Sequence, residues 1–188
     1  MFLIFLFTAI EPEIKAGLLY SQYIAGHKEF DPIYTCETVI YLSRKDCSFG
    51  FSGEIYYKQI DPYSNKYFQA SGCDATIACI GIGGLVRWRF IKIFTAKASL
   101  GYYLGGIDRP VIKESAIVKQ QMLIKRSPGV SMAWDIYKKI SHYKLGCEFR
   151  INYIPLGYNP EQQRSYTNYD LSRRSSLTGI VFSLVLCL

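Results

Sequence analysis

The chain has 188 residues, 20% of them charged and 15% aromatic, with 15 glycines and a formal net charge of +7 at pH 7. This length suits one domain, and the aromatic content excludes a disordered chain. No apolar run approaches the roughly 18 residues of a membrane-spanning helix, which argues against a helical membrane protein. The positive charge permits an anionic partner, such as nucleic acid, lipopolysaccharide or phospholipid head groups, without choosing among them.

The N-terminus is the apolar segment MFLIFLFTAI, and the chain turns polar at Glu11. We interpret residues 1–10 as a truncated export signal, because such an apolar core is typical of secretory signal peptides, although no Lys or Arg precedes it. An ordinary first strand is the alternative. Residues 11–188 then form one domain.

Alternation of apolar and polar residues recurs along the chain and predicts strands, because successive side chains of a strand point to opposite faces. Eight strands result, at 14–24, 33–42, 47–57, 76–90, 94–104, 130–136, 143–153 and 176–188. The apolar parity of the sixth continues upstream to Ala116, which indicates a hairpin with the fifth strand that protrudes beyond a membrane. Pro128 predicts a bulge or an interruption in that hairpin.

The links between these strands alternate in length. Short links fall at 44–46, 91–92 and 138–142, and long links at 25–31, 61–74, 105–115 and 155–174. Outer-membrane barrels have tight periplasmic turns and long outer loops. The pattern therefore predicts an eight-stranded antiparallel up-and-down transmembrane barrel with both termini in the periplasm.

The two faces of the strands differ in a way that indicates which one meets lipid. One face is bulky and apolar, and the other mixes small residues with charges of both signs. A narrow interior filled by side chains suits the second face, and lipid accepts the first, because a closed barrel satisfies its own backbone. The alternative is a soluble, lipocalin-like barrel that buries the apolar face around a ligand.

The polar face predicts a network of charges in the lumen. Hairpin pairing places Glu37 opposite Glu54 or one step away, and two such carboxylates need a cation, which Lys58 or Arg87 would supply. The predicted network comprises Glu37, Glu54, Lys58, Arg87, Arg89, Lys97, Asp135, Glu148 and Arg150.

Four segments resemble the small bacterial outer-membrane β-barrel family, that is, the porin-like "outer membrane protein beta-barrel domain" and the OmpX-like barrels. They are IKAGLLYSQY, GGLVRWRF, KIFTAKASLGYYLGG and SLTGIVFSLVLCL. The resemblance implies a bacterial outer-membrane location among lipids and lipopolysaccharide, insertion by the barrel-assembly machinery, and no catalytic residues. Members commonly end in an aromatic residue, whereas this chain ends in Leu188. We expect a monomer that binds no nucleic acid.

Catalytic and metal-binding patterns are weak. The two histidines, His27 and His142, fall in predicted links at opposite ends of the barrel, and neither has a Ser and an acid at a suitable spacing. The six cysteines show no metal-ligand spacing, and only Cys73 and Cys79 are close enough near a loop to suggest a disulfide. We therefore expect no enzyme and no cofactor, with an outer-membrane enzyme or a narrow porin-like channel as alternatives.

Basic and aromatic residues are interleaved in the long links. We predict an outer-loop binding surface for lipopolysaccharide, or for a host or peptide partner, built from Arg109, Lys113, Tyr158, Arg164, Tyr166, Arg173 and Arg174. The alternative is that these residues only anchor the barrel at the membrane interface.

Overall fold

The computed structural model describes residues 9–21, 32–44, 46–60, 75–113, 116–155 and 177–188. Their strands are β1 (Ala9–Ser21), β2 (Pro32–Arg44), β3 (Cys47–Ile60), β4 (Ala75–Ile91), β5 (Phe94–Lys113), β6 (Ala116–Ile140), β7 (Tyr143–Tyr153) and β8 (Gly179–Cys187). Each strand pairs with its chain neighbours, and β8 pairs antiparallel with β1 to close the barrel. The predicted eight-stranded up-and-down barrel is confirmed. Among the described residues, no helix has the length and apolar character needed to cross a membrane.

The two ends of the barrel differ in how the strands are joined. Tight turns connect β2 to β3, β4 to β5 at Lys92 and Ile93, and β6 to β7 at Ser141 and His142. Ser141 has a φ of 56°, the left-handed backbone that two-residue hairpin turns require. We call this the tight-turn end; β1 starts here and β8 finishes here. At the opposite, long-link end, residues 22–31, 61–74 and 156–176 lie outside the described part of the chain.

The first strand begins earlier than the alternation predicts. β1 starts at Ala9, so Ala9 and Ile10 of the presumed export segment are strand residues. The physical reason is that β2 continues to Arg44, and its far end offers hydrogen-bonding partners to this part of β1, with Ala9 opposite Ser43. The predicted continuation of the first strand to residue 24 falls outside the described residues beyond Ser21.

The β5–β6 hairpin extends past its neighbours, as predicted. The last described β4–β5 pair is Thr76 with Asp108, and the β6–β7 pairing begins only at Val130. The predicted outer loop 105–115 is wrong for residues 105–113, because these pair with β6 and remain strand.

The bulge or interruption predicted at Pro128 is also wrong. The described β5–β6 register runs unbroken through the Tyr102–Pro128 pair and shifts only between Val111 and Ile112. The β6–β7 ladder begins at the Val130–Tyr153 pair, and Pro128 precedes it by two residues. Its missing N–H therefore removes no hydrogen bond to β7.

The outward face of the barrel is apolar. Phe51 and Ile82 are 69% and 72% exposed on it, whereas the alternating residues that point inward are mostly polar or charged. A row of outward aromatic rings crosses β6, β7, β8 and β1, with neighbouring centroids 5.4–6.2 Å apart: Trp134, Phe149, Phe182 and Tyr20. A soluble barrel would bury this face, so the lipocalin-like alternative is contradicted.

Candidate functional site

The lumen is filled by side chains in layers. Near the long-link end an apolar layer closes it, formed by Leu19, Ile33, Tyr56, Cys79, Tyr103, Ile154, Leu177 and Val181. Below this layer, five buried carboxylates and four buried cations of the described residues face the interior: Glu13, Glu37, Glu54, Asp135, Glu148, Lys15, Arg87, Lys97 and Arg150. A fifth buried cation, Lys58, lies two residues beyond Tyr56 on β3, towards the long-link end. Buried charges are costly unless they are paired, so the pairing decides what this interior can do.

Arg150 of β7 bridges the two carboxylates that the β2–β3 pairing brings together. Glu37 and Glu54 are direct cross-strand partners, as predicted. Arg150 Nη1 lies 2.8 Å from Glu37 Oε2 and 3.3 Å from Glu54 Oε2. The hydroxyls of Tyr56 and Tyr103 donate to Glu54 at 2.5 and 3.0 Å. The repulsion between the two carboxylates is thereby offset by a cation from across the barrel.

Lys15 of β1 joins this group to the next. Its ammonium lies 2.7 Å from Glu37 Oε2 and 2.6 Å from Glu148 Oε2. Arg150 Nε lies 3.6 Å from the other oxygen of Glu148. Carboxylates of β2 and β7 therefore share a cation of β1, which connects strands on different sides of the barrel.

Lys97 of β5 is the centre of a second group. Its ammonium lies 2.5 Å from Glu13 Oε1, 2.8 Å from Asp135 Oδ2 and 3.3 Å from Glu148 Oε2. The Tyr137 hydroxyl lies 2.9 Å from both Glu13 Oε2 and Asp135 Oδ2. Glu148 contacts both Lys15 and Lys97, so the two groups form one continuous network.

Arg87 of β4 lies nearer the tight-turn end and pairs with Glu11 rather than with Glu37 and Glu54. Its Nη2 is 2.5 Å from Glu11 Oε2 and 3.1 Å from the hydroxyls of Ser43 and Ser48. Its guanidinium carbon also lies 3.9 Å from the centroid of the Tyr41 ring, in cation–π geometry. Lys58 or Arg87 was predicted to supply the cation for Glu37 and Glu54; Arg87 pairs with Glu11 instead, and Arg150 contacts both carboxylates.

The other predicted network residues take different positions. Lys58 is buried on β3, and Arg89 is partly exposed at the tight-turn end, with Nη2 3.6 Å from Glu11 Oε2. Sequence reasoning missed Glu11 and Glu13, because the first strand was expected to begin at residue 14. Their parity matches that of Lys15, so extending the alternation towards the N-terminus would have found them.

The predicted outer-loop surface lies largely outside the described residues. Arg109 and Lys113 belong to the protruding part of β5, where only the backbone is described. Tyr158, Arg164, Tyr166, Arg173 and Arg174 fall outside the described ranges, as do His27 and Cys73. His142 is exposed in a tight turn, and Cys79 is a free, buried thiol.

The described lumen is filled with side chains, many of them charged and paired. Within the described ranges, no three His, Cys, Asp or Glu residues are grouped so that they could hold a metal ion. Apart from Lys58, these charged residues face one another across the barrel, and the apolar layer separates them from the long-link end. An ion entering the lumen would have to displace several buried pairs at once, each strengthened by its low-dielectric surroundings.

Comparison with known proteins gives matches at the level of the fold alone. No protein-family model and no curated protein sequence matches the chain. Among solved structures, Ail of Yersinia pestis, crystallised with the heparin analogue sucrose octasulfate, matches with a TM-score of 0.50 and 8% identity over 95% of this chain and 93% of that one. Neisserial surface protein A matches with a TM-score of 0.48 and 9% identity, covering 95% and 94% of the two chains. The N-terminal barrel domain of Pseudomonas aeruginosa OprF matches with a TM-score of 0.45 and 9% identity, covering 94% and 95%.

Proposed function

We propose that the chain is a non-enzymatic protein of a bacterial outer membrane, in which the barrel is a rigid anchor and the long-link end is a binding surface. The tight-turn end then faces the periplasm and the long-link end faces the cell exterior. The observation that carries this proposal is the combination of an outward apolar face with a lumen that is filled by paired charges and closed by an apolar layer. Such a barrel is stable in lipid and offers little room for transport.

The binding role is supported by the protruding hairpin. Beyond Asp108 and before Val130, the described β5 and β6 residues pair with each other but with neither β4 nor β7, so the hairpin extends past the described parts of these two strands. Its sequence between these points contains Arg109, Lys113, Lys119, Lys125 and Arg126, and only one acid, Glu114. This charge balance suits phosphate groups of lipopolysaccharide, or another anionic surface partner.

Membrane fractionation and gel mobility test the location. The full chain, expressed with a working export signal, is expected in the outer-membrane fraction. It should migrate differently before and after boiling, because a closed barrel resists detergent when cold. A soluble protein without a mobility shift would refute the membrane assignment. In planar bilayers we expect no steady single-channel current, and a reproducible open state would favour the narrow channel instead.

Charge-neutralised variants test the binding surface. Arg109→Gln with Lys113→Gln should weaken retention of the purified barrel on immobilised lipopolysaccharide and lower its salt dependence. The matched control is Lys138→Gln with Lys139→Gln, which removes the same charge from exposed residues near the tight-turn end. Equal losses in both variants would mean that net charge, rather than the hairpin, controls retention. Sucrose octasulfate, the compound bound by Ail, is a soluble competitor for the same assay.

A further inference from the structure

A groove of ≈ 640 Å³ crosses the outward face of β3, β4, β5 and β6. Bulky apolar side chains form its walls, and the backbone of inward-pointing residues forms its floor. The wall includes Phe51, Ile82, Tyr102 and Pro128, and the floor includes Gly83 and Gly101.

Two outward-facing glycines are cross-strand neighbours of residues that line the groove. Gly53 on β3 is the cross-strand partner of Ile82, and Gly84 on β4 is the partner of Phe51. A Cβ atom added at either glycine would meet no atom within 4 Å. No close approach of another strand therefore demands glycine here, and the absent side chains leave space for something outside the chain.

The groove leads from the middle of the apolar face to a cation. Pro128 is at its β6 side, and the next outward residue of β6 towards the long-link end is Arg126, which is exposed and paired with Leu104. Two strand residues span about 7 Å, so the guanidinium lies within reach of the end of the groove. An apolar channel followed by one cation matches an acyl chain followed by a phosphate.

We propose that this groove binds one acyl chain of lipid A, the phosphorylated glycolipid of the outer leaflet, with a phosphate of the same molecule on Arg126. The choice of lipid A rests on the proposed orientation, in which the long-link end faces the cell exterior. A second copy of the barrel fits less well, because an apolar flank placed over Arg126 would bury its charge without a partner.

Native mass spectrometry of the whole barrel tests this assignment. The protein is reconstituted into phosphatidylcholine nanodiscs doped with lipid A, or with the same fraction of phosphatidylglycerol, and then released into mild detergent. The wild type should retain one lipid A. Gly84→Phe, which fills the groove, and Arg126→Gln, which removes the cation, should each lower the retained fraction by about tenfold.

Two matched controls separate the site from general surface effects. Ala16→Phe adds the same ring at an exposed outward position of β1, and Lys138→Gln removes an exposed charge at the other end of β6. Both should retain lipid A as the wild type does. The proposal is overturned if the two site variants retain as much as the wild type, if phosphatidylglycerol is retained equally well, or if the wild type is a dimer that Gly84→Phe dissociates. A boiled and unboiled gel of each sample separates the two hypotheses: a barrel that forms without retaining lipid A refutes the groove alone, and a chain that forms no detergent-resistant barrel refutes the membrane assignment.

Discussion

Replacing Arg150 by Met should unfold the barrel at a markedly lower urea concentration. The guanidinium is 4% exposed and contacts both Glu37 and Glu54, so its removal leaves a buried carboxylate without its cation. Breaking a buried pair in this way costs about 3–5 kcal/mol. We expect the lower end of this range, because Lys15 remains 2.7 Å from Glu37, and the unpaired charge is then mainly that of Glu54.

Urea titration of the detergent-refolded barrel, followed by tryptophan fluorescence and by cold gel mobility, measures this loss. A second variant, Arg150→Met with Glu54→Gln, should recover most of the lost free energy of unfolding, since it leaves no uncompensated carboxylate beside Tyr56 and Tyr103. A loss below about 1 kcal/mol for the single variant, as for an exposed ion pair, would refute the reasoning. So would a double variant that is no more stable than the single one.

Other positions give further tests. Gly129→Ala should destabilise the barrel by about 1–3 kcal/mol, because the new Cβ would lie 2.7 Å from the Tyr103 ring and 2.8 Å from Ile154. Gly53→Ala, whose Cβ meets no atom within 4 Å, should be tolerated, and the urea midpoints of the two variants compare them. In single-cysteine variants of the folded barrel, an apolar maleimide should label Cys36, which is exposed on the outward face. The same reagent should label Cys79, which is buried in the lumen, only after unfolding. Labelling of Cys79 in the folded barrel would contradict the closed apolar layer. Replacing residues 109–121 by a two-residue turn should change the free energy of unfolding by about 1 kcal/mol or less, because the described residues of β4 and β7 do not pair with this part of the hairpin. Failure to fold would show that the hairpin tip is needed for assembly.

Local alternation predicts much of this fold, because the polarity of successive side chains in a strand shows which face points outward and which points into the lumen. The seventh strand has its predicted bounds, and Glu37 lies opposite Glu54 because a tight turn after β2 determines the register of the hairpin. The predicted fifth and sixth strands are too short, since their hairpin continues as strand beyond its neighbours. Alternation in one strand does not show how far the neighbouring strand continues to offer hydrogen-bonding partners.

Contacts across the lumen could not be predicted from the same pattern. Arg150 meets Glu37 and Glu54 although 113 and 96 residues separate them along the chain. Which charges meet depends on the tilt of the strands and on the stagger between the first and last of them, and both emerge only when the barrel closes. For that reason the sequence predicts a charged interior that includes Arg150, but it does not show that Arg150 is the residue that contacts both Glu37 and Glu54.

Closure also determines how this molecule can come apart. The β1–β8 ladder, in which Glu13 lies opposite Cys187, joins the two ends of the chain, and every strand therefore has two partners. Opening any one ladder inside a bilayer would expose two rows of unpaired amides and carbonyls to hydrocarbon, each group at a cost of several kcal/mol. Partial opening is therefore strongly disfavoured, and we expect proteases in the surrounding water to find cleavage sites mainly beyond the apolar face.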